Sequence, residues 1–138
     1  MVLAADQSSS INERTVDMSI QFEKLHHVQV CVPFGAADRA KAFYCHILGL
    51  EEIDKPSGLV SKGGFWVKIA DIELHIGVEP NTGGSKRHPA FIVKDLEGAR
   101  SYLTKVGVRI QEDSAIPGRQ RFSFFDPWNN RIELMQYD

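Results

Sequence analysis

Cysteine is scarce in this sequence, its charge is nearly balanced, and it has no long apolar run. The two cysteines, Cys31 and Cys45, form neither a C-x-x-C pair nor a disulfide scaffold, so we expect a reducing, cytoplasmic location. A net charge of −2 gives no electrostatic reason to expect nucleic acid or an anionic membrane as partner. No apolar stretch approaches the ~20 residues that a membrane-spanning helix requires.

The rest of the composition is that of an ordinary globular protein. The chain has 138 residues, of which 43% are hydrophobic and 25% charged, enough for one domain with a real core. Residues 1–21 differ, because they are mostly small and polar and lack the basic start and apolar region of a signal peptide. We expect a flexible N-terminal arm over 1–21 and a single domain over 22–138.

A short motif that occurs twice organises this domain. Ile-Glu-Leu stands at residues 72–74 and again at 132–134. His27 precedes Glu73 by 46 positions, and His88 precedes Glu133 by 45 positions. The glycine- and proline-containing segment 80–87 is typical of a linker. The pattern therefore predicts two copies of one unit, module one at 22–79 and module two at 88–138.

Hydrophobic periodicity predicts the same order of elements in both copies. Alternation of apolar and polar residues indicates strands, and apolar steps of three and four indicate a helix that ends at a glycine, Gly49 or Gly107. The predicted strands are 27–32, 50–54, 65–69, 72–78, 88–93, 108–112, 119–125 and 131–136, and the predicted helices are 36–48 and 96–106. Each module is then βαβββ. We predict an α+β fold in which eight strands form a curled mixed sheet, or cup, with helices on its outer face.

Strand alternation also predicts which side chains line the cup. Opposite the aliphatic face lie mostly polar residues from both modules; the predicted lining is His27, Gln29, Glu73, His75, His88, Glu133 and Met135. Taken singly, each of the two histidines and two glutamates is better explained as a hydrogen-bonded strand-end residue or as a solvent-facing polar residue. Two histidines and two glutamates in matching positions of the two copies are harder to explain in that way. Imidazole with carboxylate suits Zn, Ni, Co, Mn or Fe(II), so the pattern predicts one divalent metal ion bound by His27, Glu73, His88 and Glu133.

Residues 25–137 resemble the vicinal-oxygen-chelate superfamily, which includes glyoxalase I, extradiol dioxygenases, fosfomycin-resistance proteins and bleomycin-binding proteins. The matching segments are Leu25–Val28, Ala42–Tyr44 with Leu48–Leu50, Ile72–Leu74, His88–Phe91, and Asp126–Pro127 with Asn130–Leu134. Resemblance to glyoxalase I implies all four predicted ligands. Resemblance to fosfomycin-resistance and extradiol members implies His27, His88 and Glu133 alone. Asn129 departs from the family turn, Asp-Pro-x-Gly-Asn, although asparagine tolerates a positive φ almost as glycine does.

The resemblance favours a metal-dependent lyase or isomerase that acts on a small substrate with vicinal oxygens, in a homodimer. Glu73 or Glu133 would transfer the proton. One alternative is an Fe(II) extradiol-type dioxygenase. The other is a metal-free protein that binds a drug-like molecule and confers resistance to it. Further residues are weaker candidates for the substrate pocket, namely Gln29, His75, Arg121, Met135 and Tyr137.

Overall fold

The structure is a computed structural model that describes residues 20–80 and 83–138, with the side chains of 60–62 left out. The predicted arm at 1–21 therefore lies outside the described residues, apart from the exposed Ile20 and Gln21. None of the helices in the described ranges is long and apolar enough to cross a membrane. Cys31 and Cys45 are both free thiols.

Module one follows the predicted element order. Its elements are β1 (His27–Val32), α1 (Ala37–Lys41), β2 (Glu51–Ile53), β3 (Phe65–Ile69) and β4 (Ile72–Val78). The predicted helix over 36–48 is present, but α1 continues as a π-helical segment, Ala42–Ile47. It ends before Gly49, which has φ 75°. The predicted loop between β2 and β3 contains a 3₁₀ helix, Ser57–Lys62.

Module two repeats this order. Its elements are β5 (Ala90–Ile92), α2 (Leu96–Lys105), β6 (Arg109–Glu112), β7 (Arg119–Phe125) and β8 (Arg131–Tyr137). Asp95 caps α2, because its Oδ1 accepts a hydrogen bond of 2.9 Å from the Gly98 amide. β5 is shorter than the predicted strand at 88–93, in part because Pro89 has no N–H to donate to a ladder.

The strands form two four-stranded mixed sheets. The orders are β1-β4-β3-β2 and β5-β8-β7-β6. The pairs β1·β4 and β5·β8 are parallel, and the remaining pairs are antiparallel. The predicted α+β fold of two βαβββ modules is confirmed, with the eight strands divided equally between the two sheets.

One apolar core joins the modules on the helix side of both sheets. It contains Val30, Val32, Phe43, Leu74 and Ile76 from module one and Leu96, Leu103, Phe122, Phe124 and Ile132 from module two. The Phe43 and Phe124 ring centroids are 6.4 Å apart. Each such side chain contributes about 1.5 to 3 kcal/mol through burial. Because the aliphatic faces are used in this core, each sheet turns its other face, hereafter the cup face, away from it.

The turn before β8 also links the two modules. Asn129 has φ 70°, so the expectation that asparagine can occupy this position is confirmed. Oδ1 of the buried Asp126 accepts the amides of Trp128 and Asn130, both at 2.9 Å. Its Oδ2 accepts the hydroxyl of the fully buried Tyr44 at 2.7 Å. Asn130 donates to the Cys31 carbonyl at 2.9 Å, so the turn is bonded to β1 and to the helix of module one.

Candidate functional site

The cup face of module one carries a cluster of aromatic and titratable side chains. On the parallel pair β1·β4, His27 lies opposite Glu73, and Gln29 lies opposite His75. Trp66 on β3 lies opposite His75 on its other side. Side chains of directly opposed residues point to the same face of a sheet. Register alone therefore brings these residues, from three strands, onto one patch of the cup face.

Within this patch, three rings form a stack. The His75 ring is parallel to Trp66 at 3.9 Å between centroids, and His27 lies on its other side at 4.1 Å. His75 is 6% exposed, and its Nε2 lies 2.9 Å from Glu73 Oε1. The hydrogen bond from His75 holds the pKa of Glu73 below its ordinary value, and the nearby His26 and His27 act in the same direction. Trp66 was not among the residues predicted from sequence, although its alternation with Phe65 and Val67 places it on this face.

The cup face of module two carries the second pair. His88 Nε2 lies 3.1 Å from Glu133 Oε1, and Glu133 is 4% exposed. The other oxygen, Oε2, accepts a hydrogen bond of 3.1 Å from Arg121 Nη1. His88 Nδ1 donates to the Lys86 carbonyl at 2.8 Å. Hydrogen bonds with the Lys86 carbonyl and with Arg121 thus orient the His88 and Glu133 side chains.

A buried ionic network adjoins this pair. Arg131 Nη2 donates to Asp113 Oδ1 at 2.6 Å, and Ser123 Oγ donates to Asp113 Oδ2 at 2.7 Å. Ser123 is directly opposite Glu133 in the β7·β8 register, so the network supports the strand that carries Glu133. Asp113, which lies in a loop after β6, was not among the residues predicted from sequence.

The four predicted ligands are brought together as two pairs, one in each module. His27 and Glu73 belong to module one, and His88 and Glu133 belong to module two. In the ranges 20–80 and 83–138 of a single chain, no group of three or more His, Cys, Asp or Glu residues is arranged to hold a metal ion. A cavity of about 440 Å³ is bordered by Gln29 and His88, whereas Glu73 borders a different cavity of about 740 Å³.

The weaker candidates for the substrate pocket occupy varied positions. Gln29 and His75 lie on the cup face of module one, and Arg121 and Met135 lie opposite each other on that of module two. Tyr137 is 63% exposed at the end of β8.

Comparisons with known proteins agree with this architecture. The family model for the Glyoxalase/Bleomycin resistance protein/Dioxygenase superfamily matches residues 24–134. The chain is similar to the solved structure of a glyoxalase family protein from Bacillus anthracis, at 42% identity and a TM-score of 0.81, over 88% of this chain and 100% of that one. A comparison with curated proteins found no match.

Two more distant structures share the fold. One is a lactoylglutathione lyase from Agrobacterium tumefaciens, at 16% identity and a TM-score of 0.67, over 84% of this chain and 95% of that one. The other is an antibiotic-binding protein from Streptomyces sp. CB03234, at 22% identity and a TM-score of 0.64, over 86% of this chain and 100% of that one. The family match covers most of the sequence and both modules, and the chain therefore belongs to the Glyoxalase/Bleomycin resistance protein/Dioxygenase superfamily.

Proposed function

We propose that the protein is a divalent-metal-dependent enzyme of the lyase or isomerase type, acting on a small substrate with neighbouring oxygens. The observation that carries the proposal is the contact between His88 and Glu133. Because His88 Nδ1 donates to the Lys86 carbonyl, the neutral ring presents a lone pair on Nε2. That lone pair faces the Glu133 carboxylate at 3.1 Å. Two electron-pair donors so close together need either a second proton on the ring or a cation that both can bind.

The groups around this pair fit a metal ion. A ligating histidine ordinarily donates its other ring N–H to a carbonyl or carboxylate, as His88 does to Lys86. A ligating carboxylate is ordinarily hydrogen-bonded as well, and Arg121 holds Oε2 of Glu133. Nitrogen and oxygen donors of this kind suit Zn, Ni, Co, Mn or Fe(II).

The complete site requires both modules, and we place their junction in a homodimer. The described part of a single chain forms no metal-holding group of three or more such residues, so we propose that the module-one pair of one chain faces the module-two pair of a second copy. His27, His88 and Glu133 are three of the proposed ligands. For the fourth position the sequence predicts Glu73, whose Oε1 lies 2.9 Å from His75 Nε2.

Bound there, the ion would act as a Lewis acid that polarises the paired oxygens of the substrate. The side chains of this protein would orient the substrate and move its proton. Glu73 is the better placed of the two predicted proton carriers, because its side chain is 26% exposed. Glu133 is buried and bonded to Arg121, which leaves its carboxylate less able to reach substrate.

Metal analysis tests the proposal. Purified tag-free protein is loaded with Zn, Ni, Co or Mn, or with Fe(II) without oxygen, desalted, and measured by elemental mass spectrometry. We expect stoichiometric metal in the wild type, and its loss in His88→Ala and Glu133→Gln. Glu112→Gln, which changes an exposed glutamate on β6, should keep the metal. Activity on α-ketoaldehydes should require the metal. Wild-type protein that binds none of these ions would refute the proposal.

One observation favours a second candidate, a metal-free protein that binds a small molecule. The part of a single chain that the structure describes contains no ready metal site. Submicromolar calorimetric binding of bleomycin to metal-stripped protein, without turnover, would support this function instead.

A further inference from the structure

We propose that residues 20–25, hereafter the leading segment, dock into an apolar groove of a second copy of this chain. Two chains that exchange their leading segments in this way form a closed homodimer. The inference shares the homodimer with the proposed function, but it concerns a different surface and needs no metal ion. It follows from two uncovered apolar surfaces that lie beside each other on the chain.

The leading segment is apolar and uncovered. Ile20, Phe22 and Leu25 are 74%, 88% and 61% exposed. The segment belongs to no helix or strand, and no hydrogen bond joins it to another described residue. Single exposed apolar residues are ordinary on a protein surface, whereas several together mark a contact site. Three in one short segment without backbone partners are typical of a segment that binds elsewhere.

The groove is an opening in the apolar core that the two modules share. It has a volume of about 290 Å³, and its walls include Leu50, Phe91 and Leu103. Tyr102 supplies the one polar side-chain atom among the lining residues, and this hydroxyl donates to the Ile47 carbonyl at 2.6 Å. No polar side chain of the lining therefore needs a partner, and the groove suits apolar side chains.

The leading segment lies next to this groove without filling it. Leu25 borders the cavity of about 740 Å³, which shares Phe91 and Ile92 with the groove. Ile20 and Phe22 are not among the residues that border either space. The segment therefore passes the mouth of the groove and leaves its two most exposed apolar side chains in solvent.

The strand at the mouth of the groove, β5, has an open edge. Within the described residues it pairs only with β8. The Pro89 carbonyl and the Val93 amide bond to β8. Because alternate residues of a strand bond to the same neighbour, Ala90 and Ile92 direct their backbone groups to the open edge. Ile92 is also 53% exposed, so this edge is accessible to another chain.

The sequence of the leading segment suits a strand added at this edge. In such a strand Ile20 and Phe22 lie on one face, and Gln21 and Glu23 lie on the other. One face then packs into the apolar groove while the other meets solvent. Addition of an extended segment to an open sheet edge is a common mode of recognition, in which backbone hydrogen bonds combine with side-chain pockets.

A second copy of the chain is the occupant that uses both surfaces. Each chain carries one leading segment and one groove, so a two-fold pair fills both grooves and leaves no segment free. Burial of Ile20 and Phe22 from both chains removes on the order of 1,000 Å² of surface, the size at which interfaces become specific. Association therefore stops at the dimer.

Sedimentation equilibrium of the wild type, Phe22→Asp, Ile92→Lys and Phe34→Asp tests the inference. We expect a wild-type dimer. Phe22→Asp and Ile92→Lys should each raise its dissociation constant at least about 100-fold, because two apolar side chains leave the interface and each contributes about tenfold or more. Phe34→Asp is the control, since Phe34 is 69% exposed beyond the other end of β1, and it should associate as the wild type does.

Mixing the variants shows whether the segment and the groove of different chains touch. A heterodimer of Phe22→Asp and Ile92→Lys keeps one unchanged contact, and its other contact sets the introduced carboxylate against the introduced ammonium. Native mass spectrometry should therefore detect this heterodimer at concentrations at which each variant alone is a monomer. Phe22→Lys mixed with Ile92→Lys should stay monomeric, because the introduced charges are alike.

A disulfide identifies which chain fills the groove. On mild oxidation, a chain carrying both Phe22→Cys and Ile92→Cys should form a covalent dimer, with the bond between positions 22 and 92 located by peptide mass spectrometry. The same bond within one chain would show that the segment fills its own groove and would overturn the inference.

Two further outcomes overturn the inference and are distinguishable from failure of the proposed function. If Phe22→Asp dimerises as tightly as the wild type, another surface forms the dimer, and the proposed shared metal site stands. If the wild type is monomeric, both the exchange and the shared site fail, while metal analysis of His88→Ala still tests metal binding separately.

Discussion

Replacing Tyr44 with phenylalanine should weaken the connection between the two modules by a calculable amount. Tyr44 is fully buried on the helix of module one, and its hydroxyl donates to Asp126 Oδ2 at 2.7 Å in module two. A hydrogen bond to a charged group contributes about 1.5 to 3 kcal/mol. Asp126 keeps Asn130 Nδ2 as a second donor to the same oxygen, at 2.8 Å, so the loss should be near the lower end. The melting temperature should fall by roughly 4 to 8 °C.

The same variant should change the alkaline limb of the stability curve. Burial, with Asp126 adding to the effect, raises the pKa of Tyr44 well above its ordinary value near 10. Below pH 10 the hydroxyl is protonated in both folded and unfolded chains, so it contributes no pH dependence. Above pH 10 the unfolded tyrosine ionises first. The folded state of the wild type should then lose up to about 1.4 kcal/mol per pH unit from this residue until its folded-state pKa is reached.

Urea unfolding of the wild type, Tyr44→Phe and Tyr137→Phe between pH 7 and 11 measures both effects. Tyr137→Phe is the control, because Tyr137 is 63% exposed. We expect Tyr44→Phe to be less stable than the wild type at pH 7 and to lose stability less steeply above pH 10. Equal stability at pH 7, or an identical slope above pH 10, would show that the Tyr44–Asp126 bond does not hold the modules together.

Two further predictions concern the dimer and the turn before β8. If each metal site takes one pair of ligands from each of two chains, a mixed dimer of His27→Ala and Glu133→Ala has one intact site. Mixing the two variants should therefore recover metal binding. Mixtures that bind no more metal than the separate variants would place the site within one chain. Asn129, at φ 70°, should tolerate glycine but lose about 1 to 2 kcal/mol on replacement by valine, because a branched side chain is strained at positive φ. Both replacements remove the 2.6 Å hydrogen bond from Arg109 Nη2, so urea unfolding of the two variants isolates the backbone effect.

Much of the secondary structure of this protein could be predicted from the sequence, because it depends on local interactions. Alternation in β1, the cap at Asp95 and the helix-ending Gly49 and Gly107 each depend on residues close together in the chain, and each has the predicted conformation. The same holds for Asn129 in its turn. Two βαβββ modules follow from these signals, because they recur in the same order in both halves.

The grouping of the candidate ligands was decided by tertiary structure. Period-two alternation puts Glu73 and His75 on one face, but only the pairing of β1 with β4 sets Glu73 opposite His27 and His75 opposite Gln29. Nor could the sequence show that the described part of a single chain forms no metal-holding group from these residues, because the packing of the two modules depends on their shared core. Tertiary structure also places Trp66 and Asp113 at the site. Trp66 stacks on His75 from a paired strand, and Asp113 forms a buried ion pair with Arg131. Sequence therefore determined which residue types line the cup, and tertiary structure decided which of them meet.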